Sequence, residues 1–279
     1  MTDENKIRSL VSEVYTRMVK SPDSGCCGSA TPKGVAAKLA GYRPEELAGL
    51  PMAAVENSFG CGNPLAFSEV RPGQTVLDLG SGAGIDLLLA ARAVGPSGRV
   101  IGIDMTDEMI AKARENIAAA GATNVEVRKG LIEELPVESG TVDWVISNCV
   151  INLSPEKRLV FAEIERVLKP GVRMLVSDIV ARDLPAEVRD DPALYTSCVA
   201  GAISEEEYLA GLRAAGLVDA TVRERLVYDA TQLEAFFHGD DGEGACCGGP
   251  AATGPQVAAA AQRMVGKVWS AKLFARKPA

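Results

Sequence analysis

Between Thr75 and Ser177 the chain alternates short apolar, β-branched runs with helix-like stretches. That alternation leaves little besides a parallel sheet with crossover helices. Residues 75–79, 99–104, 124–129, 142–147 and 172–178 read as strands. After the first, Ile85, Leu88 and Leu89 recur at helical spacing until Gly95-Pro96 stops them. After the second, a helix opens with Asp107 and Glu108, carries Ile110, Ala113 and Ile117 on one face and ends at Gly121. Ser154 as N-cap with Pro155 at the first helical position predicts another, closing before Lys169-Pro170-Gly171.

Beyond this core, Ser204 and Glu207 form a capping box ahead of Tyr208, Leu209 and Leu212, with Gly216 as the stop. Residues 220–228 and 268–276 alternate as a final strand pair. Between them runs HGDDGEGACCGGPAATGP, expected to be a mobile loop, and then a short Ala-rich helical stretch. The expected fold is α/β: a doubly wound, Rossmann-like, seven-stranded and mostly parallel sheet with an antiparallel final strand, an N-terminal helical cap and inserted loops. Its parts are a cap over residues 1–70, a cofactor-binding core over 71–180, and an acceptor-site insert with the final strands over 181–279.

Composition narrows the function. Hydrophobic residues make up 47% and charged residues 24%, the range of globular chains, and no apolar run approaches the ~18 residues of a membrane span. A net charge of -8 disfavours binding to phosphate backbones or anionic lipid, so the expected partner is a small molecule rather than nucleic acid or membrane. The charged N-terminus lacks the look of a signal or transit peptide, which points to the cytoplasm. Seven cysteines, an odd number, argue for thiols with chemistry over a complete disulfide framework.

LDLGSGAG, Leu77 to Gly84, joins the first strand to the first helix. Gly80, Gly82 and Gly84 allow a tight turn and close approach of a ligand, with Ser81 among them. A nicotinamide dinucleotide fingerprint needs its third glycine where this chain has Ile85. Asp104 ends the second strand, where a carboxylate accepts two ribose hydroxyls, and Met105 follows it. The loops after Lys129 and Ser147 then complete the pocket, with Ile132, Glu133 and Asn148 as candidates. Asp78, the glycine run and the acid ending strand two resemble the class I S-adenosylmethionine-dependent methyltransferases over residues 70–180. The resemblance implies that S-adenosyl-L-methionine binds with its amino acid end near Asp78 and Gly80, and its adenine near Ile132 and Glu133. Many of that class carry an acid where this chain has Leu131.

Three single cysteines fall where strand tips and overlying loops face that cofactor: Cys61 in SFGCGNP, Cys149 in SNCVINL and Cys198 in TSCVAGAIS. Singly, each is more often a small buried hydrophobe. FGCGNP, DMTDEM, SNCVINLS and CVAGA together resemble the arsenite methyltransferases. By that resemblance Cys61, Cys149 and Cys198 bind arsenic, and arsenite is the methyl acceptor. Arsenic(III) is soft and thiophilic, and three sulfurs leave a lone pair free to take a methyl group, giving mono- and dimethylated arsenicals. No proton has to be removed, which suits a chain with one histidine, His238, in a Gly-rich loop.

Two vicinal pairs, Cys26-Cys27 and Cys246-Cys247, sit between glycines outside the core. They suit capture of arsenite or disulfide redox work. The resemblance gives the N-terminal pair a redox role, with Cys26 and Cys27 equally open as partner of Cys61; the C-terminal pair is a capture site or incidental. It also implies an external thiol reductant, thioredoxin or glutathione. Two other readings compete: a carbon methyltransferase of the same fold acting on a quinone or lipid precursor, and a non-catalytic arsenic-binding thiol protein.

Overall fold

The computed structural model describes residues 3–20, 42–58, 60, 62–63, 69–189, 195–237, 259 and 261–279. The strands are β1 (Thr75–Leu79), β2 (Arg99–Asp104), β3 (Val125–Lys129), β4 (Val142–Asn148), β5 (Leu168–Ala181), β6 (Val218–Val227) and β7 (Val268–Arg276). They form one sheet in the order β3-β2-β1-β4-β5-β7-β6. The first five strands pair in parallel, and β7 runs antiparallel to both β5 and β6. The expected seven-stranded Rossmann-like sheet with one antiparallel strand is the observed one.

Strand alternation sorts the core into two layers. Val76, Val100, Trp144, Ile146 and Leu175 point to one face, where they bury Leu87, Leu88 and Val94 of α4 (Ile85–Val94) and Ile110, Ala113 and Ile117 of α5 (Asp107–Ala119). Leu77, Leu79, Ile101, Ile103, Val145 and Val176 point to the other, against Val160, Phe161 and Ile164 of α6 (Lys157–Val167) and Tyr208 and Leu212 of α8 (Glu205–Ala214). Both faces are covered, which is why these strands read as nearly continuous apolar runs. At roughly 1.5–3 kcal/mol per fully buried aliphatic side chain, this double layer is the main source of stability.

The remaining elements are α1 (Asp3–Lys20), α2 (Pro44–Leu47), α3 (Met52–Glu56), α7 (Ala186–Arg189) and α9 (Ala230–Phe237). Residues 261–264 are also helical, within the Ala-rich stretch. The Ser204–Glu207 capping box forms as expected, and Gly216 follows α8 at φ 98. No helix among the described residues is long and apolar enough to cross a membrane.

Two local expectations need correction. The helix foreseen from Ser154-Pro155 begins at Lys157, because a 3-10 turn at Ile151–Leu153 precedes it. The Ser154 hydroxyl accepts from Glu156 N at 3.1 Å and donates to Glu133 at 2.8 Å. Lys169-Pro170-Gly171 does not precede β5 but lies inside it. The pairing with β4 shifts between Val142↔Leu168 and Trp144↔Arg173, so a bulge absorbs these residues.

Candidate active site

β1 pairs with β2 on one side and β4 on the other, so the chain reverses its winding there and leaves a crevice at the strand tips. The chain leaves β1 through Gly80, Ser81 and Gly82 and enters α4 at Gly84. The three glycines have φ of 65, 51 and 94, a region that strains residues carrying a Cβ. A Cβ at Gly80 would overlap Val150, whereas at Gly82 it would meet nothing, so that backbone borders open space. Gly84 instead abuts Ala113 of α5 and serves helix packing.

Asp104, at the tip of β2, braces this turn. Its Oδ2 accepts from Gly82 N and its Oδ1 from Thr106 N, both at 2.9 Å. Burial raises its pKa, and those backbone amides oppose the rise. Ser81 Oγ is buried and meets no hydrogen-bond partner among the described residues. An idle hydroxyl, an open glycine and a carboxylate with lone pairs to spare fit a ligand bearing amino acid and ribose groups.

These groups border a cleft of about 940 Å³, counted out to open solvent. Of the cofactor residues expected from sequence, Gly80, Ser81, Gly82, Asp104, Met105, Ile132, Glu133 and Asn148 line it, as does Cys149. Asp78 and Gly84 are not among the lining residues. Asp78 is 2% exposed, and burial together with the nearby Asp86 and Asp104 carboxylates pushes its pKa well up.

The sequence reading missed several residues. Arg8, Val11 and Tyr15 of α1 form one wall, which gives the expected cap its contact with the site. Arg8 bridges Glu133 at 3.1 Å and Glu156 at 2.6 Å, so Glu133 meets α1 as well as the cleft. Asp86 accepts from Tyr42 Oη at 2.8 Å and Asn148 Nδ2 at 3.2 Å. Burial raises its pKa to about 6, against the pull of those two donors. A charged residue inside the apolar run IDLLLA was the available signal for Asp86.

Asn148 also pins the strand tip to the segment around Cys61. Its Oδ1 accepts from Gly62 N at 3.1 Å and its Nδ2 donates to Gly62 O at 2.5 Å. A Cβ at Gly60 would overlap the Asn148 side chain. Cys61, Cys26, Cys27, Cys246, Cys247 and His238 lie outside the described residues.

Cys149 and Cys198 come together. Cys198 is a free, buried thiol whose Sγ donates to Cys149 O at 2.8 Å. Burial and the Asp178 carboxylate push its pKa well up, while Lys157 and Tyr15 pull the other way. Cys149, 5% exposed, is disulfide-bonded.

Glycine turn, acidic strand tip and switch-point cleft define a methyltransferase domain of the class that uses S-adenosylmethionine, and the family described as "Methyltransferase domain" matches residues 71–216. A relative from Halobacterium salinarum, an arsenite methyltransferase, is 51% identical over 77% of this chain. The crystal structure of an arsenic(III) S-adenosylmethionine methyltransferase from Chlamydomonas reinhardtii aligns with a TM-score of 0.63 at 32% identity, covering 90% of this chain and 75% of that one. The chain belongs to the arsenite methyltransferase family. It spans 58% of the length of the Halobacterium relative. A demethylmenaquinone methyltransferase from Bacillus cytotoxicus is 36% identical over 38% of this chain and 45% of its own length, a likeness confined to less than half of either protein.

Proposed function

We propose that the protein transfers methyl groups from S-adenosylmethionine to trivalent arsenic held by cysteine thiolates, giving mono- and dimethylated arsenicals. The contact of Cys198 with Cys149, which lines the cleft, carries the reading: 49 residues apart in the chain, they touch through Cys198 Sγ and Cys149 O. Cys61 is assigned as the third ligand. Its neighbours Gly60 and Gly62 are both set against Asn148, the residue before Cys149, which supports the assignment.

Arsenite exchanges three hydroxyls for three thiols. Each S–H proton leaves with a hydroxide as water, three As–S bonds form, and arsenic stays trivalent. The bound cofactor supplies an electrophilic sulfonium methyl, which the arsenic lone pair takes. Because arsenic loses no proton, the residues of the site position and shield; Gly80 to Gly82 and Asp104 hold one reactant and the cysteines the other. Arsenic leaves this step oxidised by two electrons, and a thiol pair that closes to a disulfide returns it to the trivalent state.

Cys26-Cys27 and Cys246-Cys247 are assigned to capture or redox steps. The Cys149 disulfide has to open before that thiol binds arsenic, which takes two electrons and two protons from a dithiol donor. We assign that task to a thioredoxin or glutathione system in a reducing cytoplasm.

The test is methyl transfer from S-adenosylmethionine to arsenite, with excess thiol, for the wild type and for Cys149→Ser and Cys198→Ser separately. Methylated arsenic from the wild type alone supports the reaction and both ligand roles. None from a folded, cofactor-binding wild type sinks the proposal. Activity that survives both substitutions rules the two cysteines out as arsenic ligands.

A further inference from the structure

Behind Cys198 lies a polar cluster that methyl transfer does not use. Asn152, Asp178 and Tyr208 are all 0% exposed. Asn152 stands in the 3-10 turn just past Cys149. Its Nδ2 donates to Ile179 O at 2.6 Å, to Asp178 Oδ1 at 2.9 Å and to Cys198 O at 3.3 Å. Two amide hydrogens thus serve acceptors on two separate segments, the end of β5 and the turn that carries Cys198. Tyr208 Oη reaches the other Asp178 oxygen from α8 at 3.4 Å.

The Asn152 carbonyl is as closely packed as its side chain. Lys157 Nζ donates to it at 3.2 Å, and a Cβ at Gly201 would overlap it. The Cys198 turn therefore closes on this oxygen only with glycine at 201. Asn152 Oδ1 is buried without a donor among the described residues. A residue needed only for packing would be better replaced by an apolar side chain of that size.

We propose that Asn152, seated on Asp178 and facing Gly201, is the positioning residue that fixes the Cys198 thiol beside Cys149. Its importance for catalysis rests on the arsenic–thiolate reading above. Asn152 acts through the backbone of Cys198, whose φ of 66 is strained for a non-glycine residue and has to be maintained by its surroundings. Without the amide donors the turn relaxes, and the sulfur leaves its place beside Cys149.

The experiment uses the reduced full chain. Arsenite is titrated without cofactor and followed by near-ultraviolet arsenic–thiolate absorbance. S-adenosylhomocysteine affinity is measured by calorimetry, and iodoacetamide alkylation of Cys198 is read by peptide mass spectrometry. Asn152→Leu keeps the branched shape and removes the donors; Gly201→Ala instead crowds the Asn152 backbone carbonyl on which the Cys198 turn closes. In both, arsenite half-saturation rises about tenfold or more, while S-adenosylhomocysteine affinity stays within about twofold. Cys198 alkylates faster in both.

Should Asn152→Leu fail to fold, the smaller Asn152→Ala, which also removes the donors, decides. Unchanged arsenite binding and alkylation overturn the inference, and so does a parallel loss of cofactor affinity. If the wild type binds no arsenite while Cys198 alkylation still rises in the variants, the arsenic reading fails and the positioning role stands.

Discussion

The Cys198 thiol donates to the Cys149 carbonyl at 2.8 Å, and both residues have positive φ, 66 and 57. Among the described residues only Asp183 and Asp219 share that property without being glycine. Strain of about 1–3 kcal/mol at each such residue persists only where surrounding structure imposes it. Two cysteines in this state, one of them lining the cleft and the other in contact behind it, mark a place whose backbone the fold holds under strain.

The strain has a direct test. At ordinary positions alanine is more stable than glycine by about 0.5–1 kcal/mol, but at φ 66 the Cβ is the source of the strain. Cys198→Gly is therefore expected to be more stable than Cys198→Ala by about 1 kcal/mol in chemical denaturation. Equal stabilities, or alanine ahead, would show that the backbone there is relaxed.

Asp104→Asn is expected to weaken S-adenosylhomocysteine binding by roughly 10- to 100-fold in calorimetry. The carboxylate accepts Gly82 N and Thr106 N on its two oxygens. An asparagine turns an NH₂ group toward one of those amides, so the glycine turn loses its brace as the cleft loses an acceptor. An unchanged affinity would remove Asp104 from the cofactor site.

The sheet was legible because a parallel strand covered on both faces is written as a short apolar run, and β1, β2 and β7 coincide with the expected spans. The placement of Gly80, Gly82 and Asp104 at the cleft was legible because their geometry is local: a turn, an open backbone and a strand tip. The contacts of Asn152 and the approach of α1 were not. Asn152 to Cys198 is a pairing across 46 residues and Arg8 to Glu133 one across 125, and no periodicity encodes either. The bulge in β5 was hidden for the opposite reason, since Pro170-Gly171 is a strong local break signal that the flanking β4 and β7 pairings override.

α1 is expected to control cofactor exchange through Arg8. The Arg8 side chain, 17% exposed, meets Glu133 and Glu156, while Thr16 and Lys20 hold Glu108 at the other end of the helix. Charge-assisted bonds of this kind are stronger than neutral ones, yet partial exposure limits their worth to about 1–2 kcal/mol. Arg8→Ala should raise the dissociation rate of S-adenosylhomocysteine several-fold, on the order of what 1 kcal/mol allows, with a smaller effect on arsenite binding. Stopped-flow displacement is the measurement, and an unaltered rate would make α1 a passive cover.

Asp178 ties stability to pH. Burial raises its pKa to about 7, against the pull of Ile179 N, Lys157, Asn152 and Tyr208. The folded chain therefore holds this proton more tightly than the unfolded chain. That contribution is complete below the ordinary carboxylate range near pH 4, and it is lost as pH rises through about 7. Asp178→Asn keeps the site neutral throughout, so its stability relative to wild type should improve between about pH 5 and pH 8 by about 1–3 kcal/mol. Lys157, the cation facing this carboxylate, loses that attraction in the variant but keeps its bonds to Asn152 O and Ser154 O. Asp86 titrates in the same window but in both proteins, and cancels in the difference. Unfolding midpoints at the two pH values measure the effect; a difference that stays flat would mean Asp178 is ionised at both, with Lys157 offsetting its burial.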